Sequence, residues 1–450
     1  MLEKLDYFAR VSELATSTTG DWITITSPYG AELYSLQFSS EADIASAVLA
    51  ARTAQVGWAQ RSLRDRARVM LRFHDLVLSN KDELLDLIQW ETGKPRRDAN
   101  EELLDVTLNA RYYARHLGAL KDRKHPGAFP LLISAIERHV PLGVVGIIAP
   151  WNYPLTLAVS DAIPALLAGN GVVLKPDPLT SVTALYVIDL LYQAGLPKDL
   201  FGVVTGDGAK LGSPLIQQVD FLMFTGSTKV GRIVAAQCGE RLIGSALELG
   251  GKNAMIIRAD ADIEKAAEIA TRACFGNTGQ LCVSIERLYV HESIESNFLE
   301  AFVRKTKAMT FQGSVGWGGS YGPLISQIHA ARVLAFISDA QVKGATIHAG
   351  GELTGNATIA PTILTGVGEN MNVCREETFG PVVSVSSYST DAQADELAND
   401  SEYGLNASVI SRSKKKAMQI AQQLHAGTVN INEGYATSWS TLGSPMGGFG

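Results

Sequence analysis

Between residues 140 and 247 short apolar runs alternate with segments of helical length, and this alternation constrains the fold more than any other feature. The runs "PLGVVGIIAP", "GNGVVLKP", "LFGVVTG" and "VDFLMFTGS" are near-continuously apolar, as strands covered on both faces are. Between them lie "SVTALYVIDLLYQAGLP", "GAKLGSPLIQQ" and "KVGRIVAAQCGER", each long enough for a crossover helix. Strands joined by such helices form parallel β-α-β units. The spacing therefore predicts a doubly wound nucleotide-binding half here. The same alternation resumes after residue 253, with "NAMIIRADAD", a helix to 277, "RLYVHES" and a helix from 295, which predicts a second α/β domain.

Upstream the texture is helical. Glu41 to Gln60, "RDRARVMLRFHDLVLSN", "KDELLDLIQWETGKP" and "NEELLDVTLNARYYARHLGAL" read as four helices, the third stopped by Gly93 and Pro95. Residues 119 to 139 fit neither half. Pro126, Gly127 and Pro130 break helices there, and a β-excursion is expected. Pro154 to Leu174 is long enough to span a bilayer, but Asp161, Pro164 and the Gly169-Asn170-Gly171 break favour a buried helix, a turn and a strand. No period of 20 to 50 residues repeats, which argues against a solenoid.

Charge narrows the function classes. A net charge of −7 gives no footprint for nucleic acid, and "SKKK" at 413 to 416 reads as a solvated helix start. The four cysteines, Cys238, Cys274, Cys282 and Cys374, form no CxxC and no zinc spacing with the histidines, so no metal site is expected. Their number suits a reducing cytoplasm better than a disulfide framework. The first 20 residues lack the apolar segment of a signal peptide.

Four stretches carry candidate chemistry. In "FTGSTKVGR" a strand ends on a Gly-Ser-Thr turn before a helix whose free N–H groups suit a phosphate; an ordinary βα turn is the alternative. In "LELGGKN", Glu248 ends an apolar segment beside two glycines. A half-buried carboxylate there suits a general base, against a surface Glu before a turn. In "APWNYP", Asn152 follows a buried strand and could donate to an oxyanion, or merely cap a Pro-bracketed turn. In "GNTGQLCVS", Cys282 stands among Gly279, Gln280 and Ser284, which keep its surroundings open and polar. Most free cysteines are buried small hydrophobes, and Cys238, Cys274 and Cys374 read that way. His291 and His329 lie in unremarkable segments, so the better partner for Cys282 is a carboxylate acting on water.

Taken in order and spacing, "APWNYP", "FTGST", "LELGGKN", "GQLCVS", "EETFGPVV" and "GTVNIN" resemble the aldehyde dehydrogenase superfamily, from about residue 22 to the last. "KPDPLTS", "TRACFGNTGQLCVSIERLYV" and "NEGYATSWSTLGSPMGG" look most like the NADP-linked succinate-semialdehyde dehydrogenases of actinobacterial type. The resemblance implies a cofactor-binding domain of residues 1–118 and 140–247, and a catalytic domain of residues 248–434. It also implies a small β oligomerisation element, residues 119–139 and 435–450, with a C-terminal part shorter than the family's. It makes Cys282 the nucleophile, Glu248 the base that activates water, and Asn152 with the Cys282 N–H the oxyanion hole. Trp151, Asn152, Lys175, Pro176, Asp177, Pro178, Gly226, Ser227, Leu249, Glu377 and Phe379 match cofactor-contacting positions.

NAD-preferring members carry a Glu where Pro178 stands, so NADP is implied, with NAD possible and Asp177 turned away. The implied reaction is oxidation of succinate semialdehyde to succinate. Ser160 and Gly276, however, occupy the positions where familiar enzymes of that specificity hold the substrate carboxylate with two arginines. A broad-specificity aliphatic or aromatic aldehyde dehydrogenase is the alternative substrate reading. An acyl-transferring enzyme would not need Glu248, and a non-catalytic member could have lost it. The expected partners are a small aldehyde and further copies of the chain, as homodimer or homotetramer, with no nucleic acid and no membrane.

Overall fold

The computed structural model describes residues 11–18, 21–129 and 132–448. The first ten residues, the Pro130 break and the last two residues of the expected oligomerisation element lie outside the described residues. The chain divides into two compact units. One comprises residues up to Ile25, Tyr34–Leu87 and Glu102–Leu247; the other comprises Thr26–Leu33, Ile88–Glu101 and Glu248–Gly450. Two segments that the sequence assigns to the cofactor-binding half, residues 26–33 and 88–101, thus group with the second unit.

The first unit holds a five-stranded sheet. Its spatial order is Phe201–Val203, Gly171–Lys175, Val144–Ile148, Phe221–Thr225, Gly244–Glu248. The pairs flanking Val144–Ile148 and Gly171–Lys175 are parallel. The chain runs outward from the central strand, then returns to its other side. The strand order therefore reverses beside Val144–Ile148, where open α/β sheets bind ligands at the carboxyl ends of strands. The sheet is buried because helices cover it; the helix Glu41–Ala59, started by a Ser40–Asp43 capping box, packs closely against it. A Cβ on Gly171 would lie 2.8 Å from the Ala51 carbonyl oxygen, and one on Gly202 would lie 3.1 Å from the Ala47 Cβ. Glycine at both places lets helix and sheet approach.

The expected single helix over 155–168 is instead two short ones, Pro154–Val159 and Ala162–Leu167. Pro164 has no N–H to give the Ser160 carbonyl, so the ladder breaks there. Asn170 then ties the following turn. Its Oδ1 accepts from the N–H groups of Leu142 (2.7 Å) and Gly143 (3.1 Å), and its Nδ2 donates to the Ala165 carbonyl (3.0 Å). Between residues 119 and 139 the anticipated β-excursion contains an antiparallel ribbon, Arg123–Pro126 paired with Ser134–Glu137. Among the described residues no helix is long and apolar enough to cross a membrane.

The second unit is built on seven strands in the order Thr346–Ala349, Thr362–Thr365, Val382–Tyr388, Ile285–His291, Asn253–Ile257, Asn406–Ile410, Thr428–Ile431. All neighbours are parallel except the first pair. Period-two alternation fills both faces. Met255, Ile257, Leu288 and Val290 meet Phe275, Phe298 and Phe302 on one side, while Ala254, Ile256 and Tyr289 meet Ala394, Ala398 and Ile420 on the other.

Replacing Asn170 by Ala leaves the Leu142 and Gly143 N–H groups without their acceptor. The expected loss is about 2–4 kcal/mol of stability, read as a lower urea midpoint at unchanged slope. An unchanged midpoint contradicts the role given to Asn170.

Candidate active site

Three neighbouring parallel strands of the second unit begin at Asn253, Ile285 and Val382. The segments that lead into them are "LELGGK", "GNTGQLCVS" and "EETFGP". Sheet order alone therefore brings Glu248, Cys282 and Glu377 to one edge.

The loop around Cys282 is more tightly held than its composition suggests. Asn277, Thr278 and Gly279 are consecutive left-handed residues, with φ of 49°, 57° and 70°. Two non-glycine residues in this region cost about 1–3 kcal/mol each and persist only where neighbours fix them. Here the neighbours do so. The Asn277 N–H donates to Asp98 Oδ2 (3.0 Å), and its Nδ2 to the Gln280 carbonyl (2.9 Å). Thr278 Oγ1 accepts from the Gly322 N–H (2.8 Å), and Gln280 Oε1 accepts from the Ile325 N–H (2.9 Å). Ser284 Oγ reaches the carbonyls of Ala273 and Cys274. Gln280 and Ser284 are each only 2% exposed. This corrects the reading of an open polar pocket. The polar side chains of "GNTGQLCVS" are the scaffold of the loop, and Gly279 is required because a Cβ there would lie 2.1 Å from the Gly380 carbonyl oxygen. Asn253 Nδ2 anchors the far end of the loop through the carbonyls of Cys282 (2.7 Å) and Ser284 (2.7 Å).

Cys282 itself is half-buried. Burial, then Glu377, then Glu248 push its thiol up to about 12. Cys238 and Cys274 are fully buried, and Cys374 lies half-buried in the helical turn Asn372–Arg375. Glu248 is half-buried, and burial raises its carboxyl above the ordinary range. Burial and the nearby Glu286 push Glu377 up to about 7. The Glu377 carboxylate accepts from the Gly251 N–H (3.0 Å), and a Cβ on Gly250 would lie 2.2 Å from it. The two glycines of "LELGGKN" thus make room for a carboxylate over bare backbone.

Beneath this edge lies a buried ion pair that the sequence reading passed over. Lys252 and Glu286, 1% and 3% exposed, form a short contact. Glu286 also accepts from the N–H groups of Thr378 (3.0 Å) and Phe379 (3.0 Å), which fixes "EETFGP" with Phe379 at φ 54°. His329 closes on the Phe379 carbonyl (2.7 Å), and Arg332 donates to the Glu377 carbonyl (2.9 Å). The available signal was the pair Glu286-Arg287 inside the otherwise apolar "CVSIERLYV". Opposite charges within a buried strand imply internal partners.

In the first unit the remaining candidates sit at carboxyl ends of parallel strands. Trp151 and Asn152 follow Val144–Ile148, with Asn152 6% exposed. Gly226 and Ser227 follow Phe221–Thr225, and Ser227 caps the helix Thr228–Glu240 through the Val230 N–H (3.4 Å). Lys175 ends Gly171–Lys175. It is buried, which depresses its ammonium pKa against the opposing pull of Asp177 and Asp207. Its Nζ donates to the Pro176 carbonyl (3.0 Å). Asp177 accepts from the Leu179 N–H (3.0 Å) and opens a short 3-10 turn at Pro178. Asp207, absent from the sequence reading, likewise caps its helix through the Ala209 N–H (3.0 Å). The strand ends, the helix N-terminus and the buried lysine fit the phosphates and ribose of a dinucleotide.

A thiol held near 12 is almost wholly protonated at neutral pH. Alkylation of Cys282 in the cofactor-free protein should therefore accelerate about tenfold per pH unit between about pH 7 and pH 10, without levelling off. A plateau below about pH 8 contradicts this electrostatic picture. Removing one partner of the buried pair, as in Glu286→Leu, should cost about 3–5 kcal/mol because Lys252 is stranded. The double variant Lys252→Met, Glu286→Leu should recover part of that loss, read from unfolding midpoints.

Comparison with known proteins agrees with this geometry. Residues 15–450 match the model described as "Aldehyde dehydrogenase family". A Mycolicibacterium smegmatis protein with the provisional name succinate-semialdehyde dehydrogenase, NADP(+), is 48% identical over 93% of this chain and 82% of its own length. Among solved structures, an NAD-dependent aldehyde dehydrogenase from Sinorhizobium meliloti superposes with TM-score 0.90 at 34% identity, over 94% of this chain and 85% of that one. An NADP-dependent enzyme from E. coli gives TM-score 0.89 at 31% identity, over 95% and 91%. This chain belongs to the aldehyde dehydrogenase family.

Proposed function

We propose that the protein oxidises succinate semialdehyde to succinate with NADP, through a thioester on Cys282. The observation that carries the reading is the edge of the second unit's sheet, where one half-buried thiol stands near two carboxylates, Glu377 and Glu248, both raised by burial. The Cys282 sulfur adds to the aldehyde carbon, its proton passes to bulk water, and the former carbonyl oxygen carries the negative charge of the adduct. Asn152 and the Cys282 N–H are assigned to the oxyanion. A dinucleotide, when bound, would supply the acceptor for the hydride that the adduct loses on becoming a thioester. Glu248, its pKa raised by burial, takes a proton from water, whose oxygen attacks the acyl carbon; the C–S bond breaks, the acid leaves, and the proton on Glu248 passes to the released sulfur. Glu377 is assigned to the nicotinamide ribose, with Phe379 beside the ring and Leu249 nearby.

NADP is favoured by Lys175 and by the absence of an acid at Pro178. Asp177 supports this further, since its carboxylate is occupied by its own turn. Succinate semialdehyde is favoured by the name of the Mycolicibacterium smegmatis relative. The broad-specificity alternative draws on Ser160, whose hydroxyl donates to Asp105 (2.9 Å), and on Gly276, neither of which can bind a carboxylate as arginine does. Assembly as a homodimer or homotetramer is supported by the exposed apolar residues Phe129, Leu132, Ile133 and Ile136 on the ribbon. A cytoplasmic setting is supported by four free cysteines.

Cys282→Ala is expected to abolish turnover while cofactor binding stays within about threefold of wild type; oxidation by the alanine variant at an appreciable rate contradicts the nucleophile assignment. Pro178→Glu is expected to lower the ratio of kcat/KM for NADP over NAD by about 10-fold to 100-fold. A wild type that strongly prefers NAD contradicts the cofactor reading.

A further inference from the structure

The substrate assignment leaves one chemical question. A terminal carboxylate entering a half-buried site needs a cation, and neither Ser160 nor Gly276 supplies one. Ser160 is moreover tied to Asp105, whose carboxyl burial pushes up to about 6. The answer lies one helical turn before Gly276. Arg272 is on the last turn of the helix Ile263–Phe275, and residues four apart share a helix face.

Two observations converge on Arg272. First, Gly276 is a glycine for a reason: a Cβ there would lie 2.6 Å from the Tyr435 hydroxyl oxygen, which fills that space. Tyr435 is 2% exposed, and its hydroxyl makes no regular hydrogen bond among the described residues. The Arg272 guanidinium lies within reach of that hydroxyl oxygen as a donor, and the hydroxyl hydrogen is left without an acceptor among the described residues. A buried hydroxyl left in this state costs about 1–3 kcal/mol, a cost that an incoming acceptor removes. Second, Tyr435 belongs to the small apolar cluster with Val283 and Leu405 against which Cys282, Leu281 and Trp439 pack. Tyr435 thus shares an apolar cluster with Cys282, and Arg272 meets that cluster through the Tyr435 hydroxyl.

The guanidinium has donors to spare. Its Nη2 contacts Glu101 Oε1 at 2.5 Å, and its side chain is still half exposed. The other carboxylates in the neighbourhood have hydrogen bonds of their own, although the charge of Glu433 still acts on Arg272. Glu433 accepts from the N–H groups of Tyr435 (2.9 Å) and Ala436 (3.0 Å). Asp98 accepts from the Asn277 N–H and from Arg97. Glu101 is half-committed, since burial and Asp98 push its carboxyl up to about 7. It occupies one edge of the guanidinium and leaves the rest of the fork.

We infer that Arg272, with the Tyr435 hydroxyl, forms the anchor for the carboxylate at the far end of a short aldehyde acid, in place of the arginines missing at 160 and 276. The pair reads the end of the substrate remote from the reacting carbon, so it sets specificity and not the chemical step. This inference rests on the succinate-semialdehyde reading above.

The test is the ratio of kcat/KM for succinate semialdehyde to that for butanal, which has the same carbon count and no charge. The ratio is independent of the fraction of active protein, so partial misfolding does not move it. In wild type the ratio is expected to exceed unity clearly. In Arg272→Met it is expected to fall by about 10-fold to 100-fold, mainly through KM for the acid substrate, with Arg272→Lys recovering part of the loss. In Tyr435→Phe a fall of about 3-fold to 10-fold is expected. A wild type that prefers succinate semialdehyde, with Arg272→Met preserving that preference, overturns this inference and leaves the substrate reading standing. A wild type without the preference overturns both.

Discussion

The buried contact between Lys252 and Glu286 is the interaction on which the rest of the second unit's site depends. Lys252 comes from the glycine turn after Glu248, Glu286 from the strand after Cys282, and the N–H groups that Glu286 receives come from "EETFGP". One carboxylate thus joins the three segments that carry Glu248, Cys282 and Glu377. Paired with a cation and two N–H donors, it satisfies its charge without water. Neither glycine of "GGK" can be larger without displacing what this arrangement holds, because Glu377 crosses Gly250 and the Cys282 carbonyl lies 2.6 Å from where a Cβ on Gly251 would be.

The same arrangement has an electrostatic consequence. The thiol is raised by burial and by both carboxylates, so the resting site does not favour a thiolate. Oxidation and adventitious alkylation are slowed accordingly. Glu248, raised by burial alone, is shifted in the direction that suits a general base near neutral pH. Burial at this edge thus raises both the Cys282 thiol and the Glu248 carboxyl, and the two carboxylates raise the thiol further.

Much of this was legible in the chain. The alternation over residues 140–247 is a direct consequence of burying strands on both faces, and the helices from Glu41 to Arg115 follow the periodicity that marks them. The motifs around Asn152, Glu248, Cys282 and Glu377 all fall at strand ends because turns there need Gly, Pro and Asn. What was not legible depended on long-range contacts. The polar residues around Cys282 looked like a solvated pocket, since nothing local reveals that Thr278 meets Gly322 or that Gln280 meets Ile325. Nothing local to Glu286 tells that its partners are Lys252 and the N–H groups of Thr378 and Phe379. Pro164 marks the break at Ser160 through its missing N–H. Arg272 and Tyr435 are 163 positions apart, and only the fold puts them together.

The account stands on a covalent acyl group at Cys282. The direct measurement is mass spectrometry of the Glu248→Gln protein, quenched in acid shortly after mixing with succinate semialdehyde and NADP. The account predicts a succinyl group on the peptide that carries Cys282, formed in step with reduced cofactor. Reduced cofactor without any acylated peptide, or acylation at Cys238, Cys274 or Cys374 instead, contradicts it.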